Sequence, residues 1–393
     1  MAPETTVLPP LPYEIAEDIF LRLPVKSVAS SRCVSPAWNK FLSSAAFADR
    51  YNAVAAARAA PAFVTLSDET FRRVFCGAGK ACHGAVLVGW PSEGEFYLCN
   101  PSSGDALLLP PRRHPPWVIF CAGLGYDACA RKHKVVLLEE LGGLEQRWCK
   151  QLQCSVVTVG AGHWRWRAPR GRDKAPLVSK GEIVSTKADP VFADGHLHWM
   201  LTAHGDHVGI ISFTLGGESF RRLPLPPPFA TDNSKPVLGT LGEPDGHLCV
   251  LRDLRRRREA VALFELWMLG DLFKPNSSWS LEHRIDLTPH VGKELKSAWD
   301  GEFFVVCNVI DGVSSSESNK ILMATTDRRA YVYAPNTGEL RCVARRNKAH
   351  VLYQESLVHL QGMEYGNKHI KFRSTGPLTR ASKRLCLCVI DDD

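Results

Sequence analysis

The sequence predicts a multidomain protein of α plus all-β class, with an N-terminal three-helix domain followed by a β-propeller of about six blades. Three observations predict it. Between Leu8 and Leu42 the apolar residues fall at helical spacing. From Phe63 onward, short apolar and β-branched runs alternate with Gly, Asn, Asp and Pro, the punctuation of a many-stranded antiparallel protein. Along that region one strand–turn–strand unit recurs, at Phe96 to Pro111, Ile210 to Pro227 and Ala330 to Val343.

The helices come first. Pro12 suits a first helical position, where its missing N–H costs nothing, and Glu14, Glu17 and Asp18 put negative charge where the helix dipole favours it. Ile15, Ile19 and Leu23 recur at every fourth position with Phe20 beside them, so one flank is apolar. Pro24 ends that helix because proline cannot continue the hydrogen-bond ladder. A second short helix, about Lys26 to Cys33, presents Val28 and Cys33. Ser35 followed by Pro36 caps a third, with Trp38, Phe41 and Leu42 on one face. A segment of about 40 residues is near the size below which a chain needs a metal, a disulfide or a partner, and this one holds neither a cysteine pair nor a ligand cluster. Its apolar flank either packs on the rest of the chain or is completed by another protein.

The alanine-rich stretch from Phe47 to Ala60 reads as a helical connector ending at Pro61. The domain boundaries are therefore set at 8–50 for the helical domain, 51–61 for the connector and 62–393 for the propeller. In the repeated unit, Gly104, Gly217 and Gly338 are expected to supply the positive φ of the hairpin turns. Roughly 330 residues at about 45 to 50 per four-stranded blade make six or seven blades. Long loops around Pro169 to Lys180, Arg255 and Ser314 to Ser318 favour the lower number. A closed ring also removes unpaired sheet edges, so the last strand, about Leu385 to Ile390, is expected in the same blade as the run near Phe63.

Composition sets the bounds. With 393 residues, 45% of them hydrophobic and 23% charged, the chain has the make-up of a soluble globular protein rather than a disordered or membrane one. The N-terminus lacks the basic start and apolar core of a secretory signal, and thirteen cysteines then read as thiols in a reducing compartment, cytoplasmic or nuclear. A net charge of +7 invites a nucleic-acid reading, but the charge is scattered apart from Arg255 to Arg258, a run that reads as a solvated turn.

Chemical constellations are sparse. His196, His198, His204 and His207 lie close together with Asp194 and Asp206, and His196 and His198 share one face of a strand, so a metal site is geometrically admissible. The competing reading, Asp194-Gly195 as a turn and His198-Trp199 as packing, is the stronger one. Gly123-x-Gly125 lacks the third glycine and following helix of a dinucleotide loop, and no Gly-x-Ser-x-Gly elbow occurs. Trp164-Arg165-Trp166-Arg167 has the residue types of a recognition surface, although packing accounts for it better. No cofactor, metal or catalytic residue is assigned.

Two segments resemble known families. The run from Leu8 to Ser44 resembles the F-box of plant F-box proteins in its opening (Leu11, Pro12, Glu14, Ile15), its centre (Ile19, Phe20, Arg22, Leu23, Pro24, Lys26, Ser27) and its end (Arg32, Cys33, Val34, Ser35, Trp38). Ala29, Ser30 and Ser31 stand where larger residues are common. The later region resembles the F-box-associated β-propeller domains of plants: Asn100-Pro101 with Gly104 and Leu109-Pro110, then Gly123, Gly125, Tyr126 and Asp127 with Lys134, Val135 and Val136, His133 replacing the usual tyrosine. The resemblance implies a non-catalytic substrate-recognition subunit of a Skp–cullin–F-box ubiquitin ligase. Leu11, Pro12, Ile15, Ile19, Leu23, Pro24, Val28, Cys33, Val34 and Trp38 would dock the Skp-type adaptor, and through it cullin and RING subunits, while the propeller captures a target protein. The alternatives are a propeller hydrolase or metal enzyme centred on His196 to His207, and a glycan-binding propeller independent of cullin.

Overall fold

The computed structural model describes residues 12–58, 62–66, 73–75, 82–90, 95–103, 105–111, 119–141, 151–160, 165–179, 181–185, 190–203, 206–230, 236–241, 246–270, 278–293, 295, 303–309, 320–325, 329–344, 349–353, 356–358, 368–379 and 382–391. Helix α1 (Tyr13–Arg22) begins one residue later than the proline suggested: Pro12 is extended and stands as the N-cap, its carbonyl accepting from the Ile15 and Ala16 amides. Pro24 likewise sits just before α2 (Val25–Ser31). Ser35 caps α3 (Pro36–Leu42), accepting the Trp38 amide at 3.1 Å, as its sequence predicts.

Helix α4 (Ala45–Arg58) does more than connect. Phe47 and Tyr51 enter a core with Phe20, Val25, Val28 and Leu42, and the Tyr51 hydroxyl donates to the Leu23 carbonyl at 2.7 Å, filling one of the acceptors left open where α1 ends. The same core takes Leu357 from the far end of the sequence. Arg131 pairs with Asp49 on α4, and Asn52 accepts the Leu357 amide at 3.0 Å.

Beyond α4 the regular structure of the described chain is strand, apart from three short 3-10 turns. Strand β1 (Ala62–Leu66) stands apart from its successors. One sheet follows in simple order as β2 (Arg73–Phe75), β3 (Val86–Trp90), β4 (Glu95–Asn100) and β5 (Asp105–Leu108). The next has β6 (Ile119–Asp127), β7 (Lys132–Leu141) and β8 (Gln151–Thr158). A five-stranded sheet holds β9 (Glu182–Val184), β10 (Val191–Ala193), β11 (His196–Ala203), β12 (Asp206–Thr214) and β13 (Ser219–Leu223), with β9 and β10 sharing β11. Two more meanders are β14 (Pro236–Leu241), β15 (His247–Asp253), β16 (Leu263–Leu269), β17 (Trp279–Asp286), and β18 (Phe303–Val309), β19 (Lys320–Thr325), β20 (Ala330–Ala334), β21 (Glu339–Ala344). The sixth sheet, in the order β22 (Ala349–Tyr353), β1, β24 (Ser382–Asp391), β23 (Lys368–Thr379), mixes both ends of the strand-rich region. Phe63 pairs with Arg384 and Leu66 with Leu387 in parallel register, so the expected union of first and last strands is found.

Consecutive sheets touch through their early strands: β2 and β3 on β6, β6 on β10 and β11, β10 on β14 and β15, and β14 and β15 on β18. Apolar clusters fill the gaps between them, such as Cys121, Val136 and Val156 against Trp199, Ile211 and Phe213. The result is a propeller-like, sheet-rich domain behind the N-terminal helices. The three repeated units are the hairpins β4–β5, β12–β13 and β20–β21, the last two strands of their sheets.

The turn chemistry differs from expectation at one of them. Gly338 has φ 69° as predicted, and Gly104 lies outside the described residues. In the second hairpin the left-handed residue is Glu218 (φ 51°) rather than Gly217. Glu218 precedes Ser219 as Gly338 precedes Glu339, and each donates its amide four residues back, to Thr214 and Ala334 respectively. A side chain at this position bears backbone strain that glycine avoids; the carboxylate has a task there that glycine could not perform.

Candidate functional site

Among the described residues, most of the exposed large apolar side chains lie in the helical domain. Tyr13, Ile15, Ile19, Val34 and Trp38 are 55%, 52%, 45%, 66% and 39% exposed. Ile15 and Ile19 are four apart on α1 and so neighbours on its outer face. Trp38 is held beside them by Phe20, ring to ring at 4.9 Å and edge-on, while Tyr13 lies on Phe41 at 4.6 Å. Phe41 in turn meets the buried Phe47 at 4.9 Å. Each exposed ring thus rests on the domain's own core, which presents it in a fixed place. Arg32 donates to the Leu42 carbonyl at 3.0 Å, tying the end of α2 to α3. Ser30 and Ser31 turn their hydroxyls back to the Lys26 and Ser27 carbonyls, leaving that side of α2 without bulk.

Of the residues named for adaptor docking, Pro12, Ile15, Ile19, Pro24, Cys33, Val34 and Trp38 are exposed and Leu23 is half-buried. Leu11 lies outside the described residues. Val28 is corrected: it is fully buried against Phe20, Leu42 and Phe47, because the short α2 turns that side chain into the space between α1 and α4. It supports the face without forming it. Tyr13 was missed. Seven residues before Phe20, it shares the core-facing period, yet with Phe41 against one side of its ring it stays 55% exposed.

The histidines do not form a centre. Asp194 and Gly195 both have positive φ, the backbone of a tight hairpin turn. His196 and His198 stack at 5.9 Å, and His198 donates from Nε2 to the Ala193 carbonyl at 3.2 Å in full burial. Burial and the neighbouring His196 push the His198 pKa down to about 3. His207 pairs opposite Thr202, farther along the strands, and His204 lies outside the described residues. Among the described residues no three His, Cys, Asp or Glu side chains are placed to hold a metal ion.

The other motifs resolve into structure. Trp166 donates to the Pro110 carbonyl at 2.8 Å and packs edge-on against Phe96, while Trp164 lies outside the described residues. In the basic run, Arg255 folds onto Asp253 and over the Phe264 ring, and Arg256 meets Glu259. Gly123 and Gly125 lie where a Cβ would press on Pro190 and Leu197 or collide with Leu215; they allow two sheets to approach, with no phosphate loop around them. The following Asp127 and Lys134 form a buried ion cluster with Glu218. Lys134 Nζ lies 2.8 Å from Asp127 and 2.9 Å from Glu218, and also donates to the Leu215 carbonyl at 2.6 Å. Arg167 clasps the same Glu218 with two bonds of 2.6 Å, and the Arg170 amide also donates to it at 2.9 Å. Burial alone would raise the Glu218 pKa; bonds from Arg167, Lys134 and the Arg170 amide outweigh it and hold it down to about 2.

Similarity to known proteins follows the same division. The F-box domain family matches residues 8–48, and the family described as the F-box associated beta propeller domain matches residues 49–350. The F-box/LRR-repeat protein At2g43260 of Arabidopsis thaliana is 24% identical over 382 residues, spanning 88% of this chain and 82% of its own length. The F-box/kelch-repeat protein At2g43445 of the same plant is 23% identical over 396 residues, spanning 92% and 88%.

Proposed function

Since the chain belongs to the plant F-box proteins with a C-terminal F-box associated beta propeller domain, we propose that it is the substrate-recognition subunit of a Skp–cullin–F-box ubiquitin ligase. The observation that carries this reading is the uncovered face of Ile15, Ile19, Val34 and Trp38. Four large apolar side chains left in water are the mark of a surface meant for a partner, and helical spacing on α1 suits a partner helix. Pro12, Leu23, Pro24 and Cys33 are read as the rim of the same docking surface, and Leu11 as a further contact by its place in the F-box motif. The adaptor brings cullin and RING subunits; the sheet domain, read as a closed propeller of six blades, holds the target protein. The chain performs no bond chemistry and accelerates transfer by proximity. The division into a three-helix F-box at 8–50, a connector at 51–61 and a propeller at 62–393 belongs to the same reading, as does action inside the cell, in cytoplasm or nucleus.

Reconstitution tests it. The purified full chain, mixed with a Skp-type adaptor, a cullin and a RING subunit, is expected to co-elute as one stoichiometric complex and to stimulate ubiquitin transfer onto lysines held on its sheet domain. A chain that elutes alone defeats the proposal. Proximity labelling in cells, with an F-box deletion as comparator, then identifies the target.

A further inference from the structure

The strap 165–179 crosses from one sheet to the next along the rim of the sheet domain. Arg167 pairs with Val156 as a single bridge on β8, the outer strand of this three-stranded sheet among the described residues. Farther on, the Asp173 carbonyl accepts the Phe220 amide at 2.9 Å, on the outer strand β13 of the neighbouring sheet. Between these points the strap is anchored by the buried Glu218, which holds both Arg167 and the Arg170 amide. It passes so close to the β12–β13 turn that a Cβ at Gly171 would collide with the Gly217 carbonyl. Val178 packs into the core between the two sheets, and Ser179 donates its amide to Glu182 at 2.8 Å.

Anchoring uses Arg167, Gly171 and Val178. It does not use the side chains of Arg165, Arg170, Arg172 or Lys174, which are exposed and have no acidic partner among the described residues. With Asp173 as the only carboxylate on this stretch, and Arg167 neutralised by Glu218, three net positive charges stand on the ten residues 165–174. Exposed apolar side chains follow, Leu177 and Ile183 at 45% and 43%. A strap serving only to cover the sheet boundary has no need of unpaired cations, and a rigid scaffold spares a partner the entropy of ordering them.

We propose that this rim is the part of the sheet domain that receives the target, and that it takes an extended acidic segment carrying apolar residues. The proposal rests on the reading of the chain as a target-recruiting subunit and gives that reading a recognition chemistry. Charge complementarity selects an anion, since cations without internal counterions attract and steer one. A peptide fits better than a nucleic acid. Single-stranded nucleic acid binds on aromatic platforms, and the aromatic described in the strap, Trp166, is turned inward onto Phe96 and the Pro110 carbonyl. The neighbouring Leu177 and Ile183 suit apolar side chains of a peptide instead.

The test uses the full chain and a fluorescein-labelled twelve-residue peptide of Glu, Asp and Leu, read by anisotropy. The expected result is saturable binding that weakens as salt rises. Affinity should fall at least about tenfold in the triple variant Arg165→Glu, Arg172→Glu, Lys174→Glu, and stay unchanged in Arg284→Glu on β17, whose side chain is as exposed. If the triple variant misfolds, the corresponding Gln variants should lower affinity by a smaller factor in the same direction. Absence of binding, or equal affinity in wild type and charge variants, overturns the proposal. So does tighter binding of a twelve-residue oligothymidylate that is lost in the same variants, which would assign the rim to nucleic acid. Adaptor capture is measured on every variant: its absence in the wild type defeats the recruiting reading, whereas the peptide result decides the rim alone.

Discussion

Glu218 shows how much a single position can join. It occupies the turn site that Gly338 fills in the equivalent hairpin, and it takes the left-handed backbone at a cost because Lys134, Arg167 and the Arg170 amide all depend on its carboxylate. Glu218→Gln leaves Asp127 as the one carboxylate for both Lys134, whose side chain is 6% exposed, and Arg167, which loses its own partner. The expected loss is about 3 to 5 kcal/mol in a urea unfolding experiment, the usual consequence of stranding one member of a buried ionic group. The acid limb of stability has two sources. Burial, aided by the charge of His83, depresses the His133 pKa to about 4, and burial with His196 depresses that of His198 to about 3. The unfolded chain therefore binds protons that the folded chain refuses once pH drops below about 6.5. Glu218, at about 2, adds a second loss as pH falls below the ordinary carboxylate range. The unfolding midpoint should be level from pH 8 to 7 and fall steadily below 6.5; a level midpoint down to pH 5 contradicts burial of neutral imidazoles. Asp127 and Lys134 were visible in the sequence as a motif, but Glu218 was not, since it lies more than eighty residues from Lys134 and looks like one turn residue among several.

Elements were the most legible scale, for reasons that can be named. Ser35-Pro36 and Pro24 fix helix ends by local hydrogen bonding and ring closure, and the three repeated units became hairpins because alternation and turn residues are encoded within about fifteen positions. What the sequence hid are the straps. Residues 165–179 and 356–358 have no helical or strand period, and their partners, Glu218 for the first and Asn52, Asn100 and Ser102 for the second, are remote in sequence. Val28 was misjudged for a related reason: a seven-residue helix gives too few turns to say which side faces in. The close approach of sheets at Gly125 makes a measurable claim. Gly125→Ala would drive a methyl into Leu215 and to 2.9 Å from Phe192, so it should cost about 1 to 3 kcal/mol of stability. An unchanged unfolding midpoint would mean that these sheets have slack.

At the scale of the whole molecule, the helical domain and the sheets are not strung together by α4 alone. Asn100 donates to the Ser356 and Val358 carbonyls at 3.1 and 2.7 Å, the Ser102 hydroxyl accepts the Ser356 amide, and Leu357 between them plugs the helical core. Leu357→Ala should cost about 2 to 5 kcal/mol and raise amide exchange in α4, the signature of a lost plug. An increase confined to β22 would contradict it. This second tether leaves the outer face of α1 and α3 untouched. The central claim is that Ile15, Ile19 and Trp38 form a docking surface for a Skp-type adaptor, and adaptor affinity of the full chain measures it directly. Ile19→Asp, at an exposed site that should leave folding intact, is predicted to weaken binding at least about a hundredfold, by placing a carboxylate where the contact is apolar. Equal affinity in wild type and Ile19→Asp, with both folded, would contradict the account.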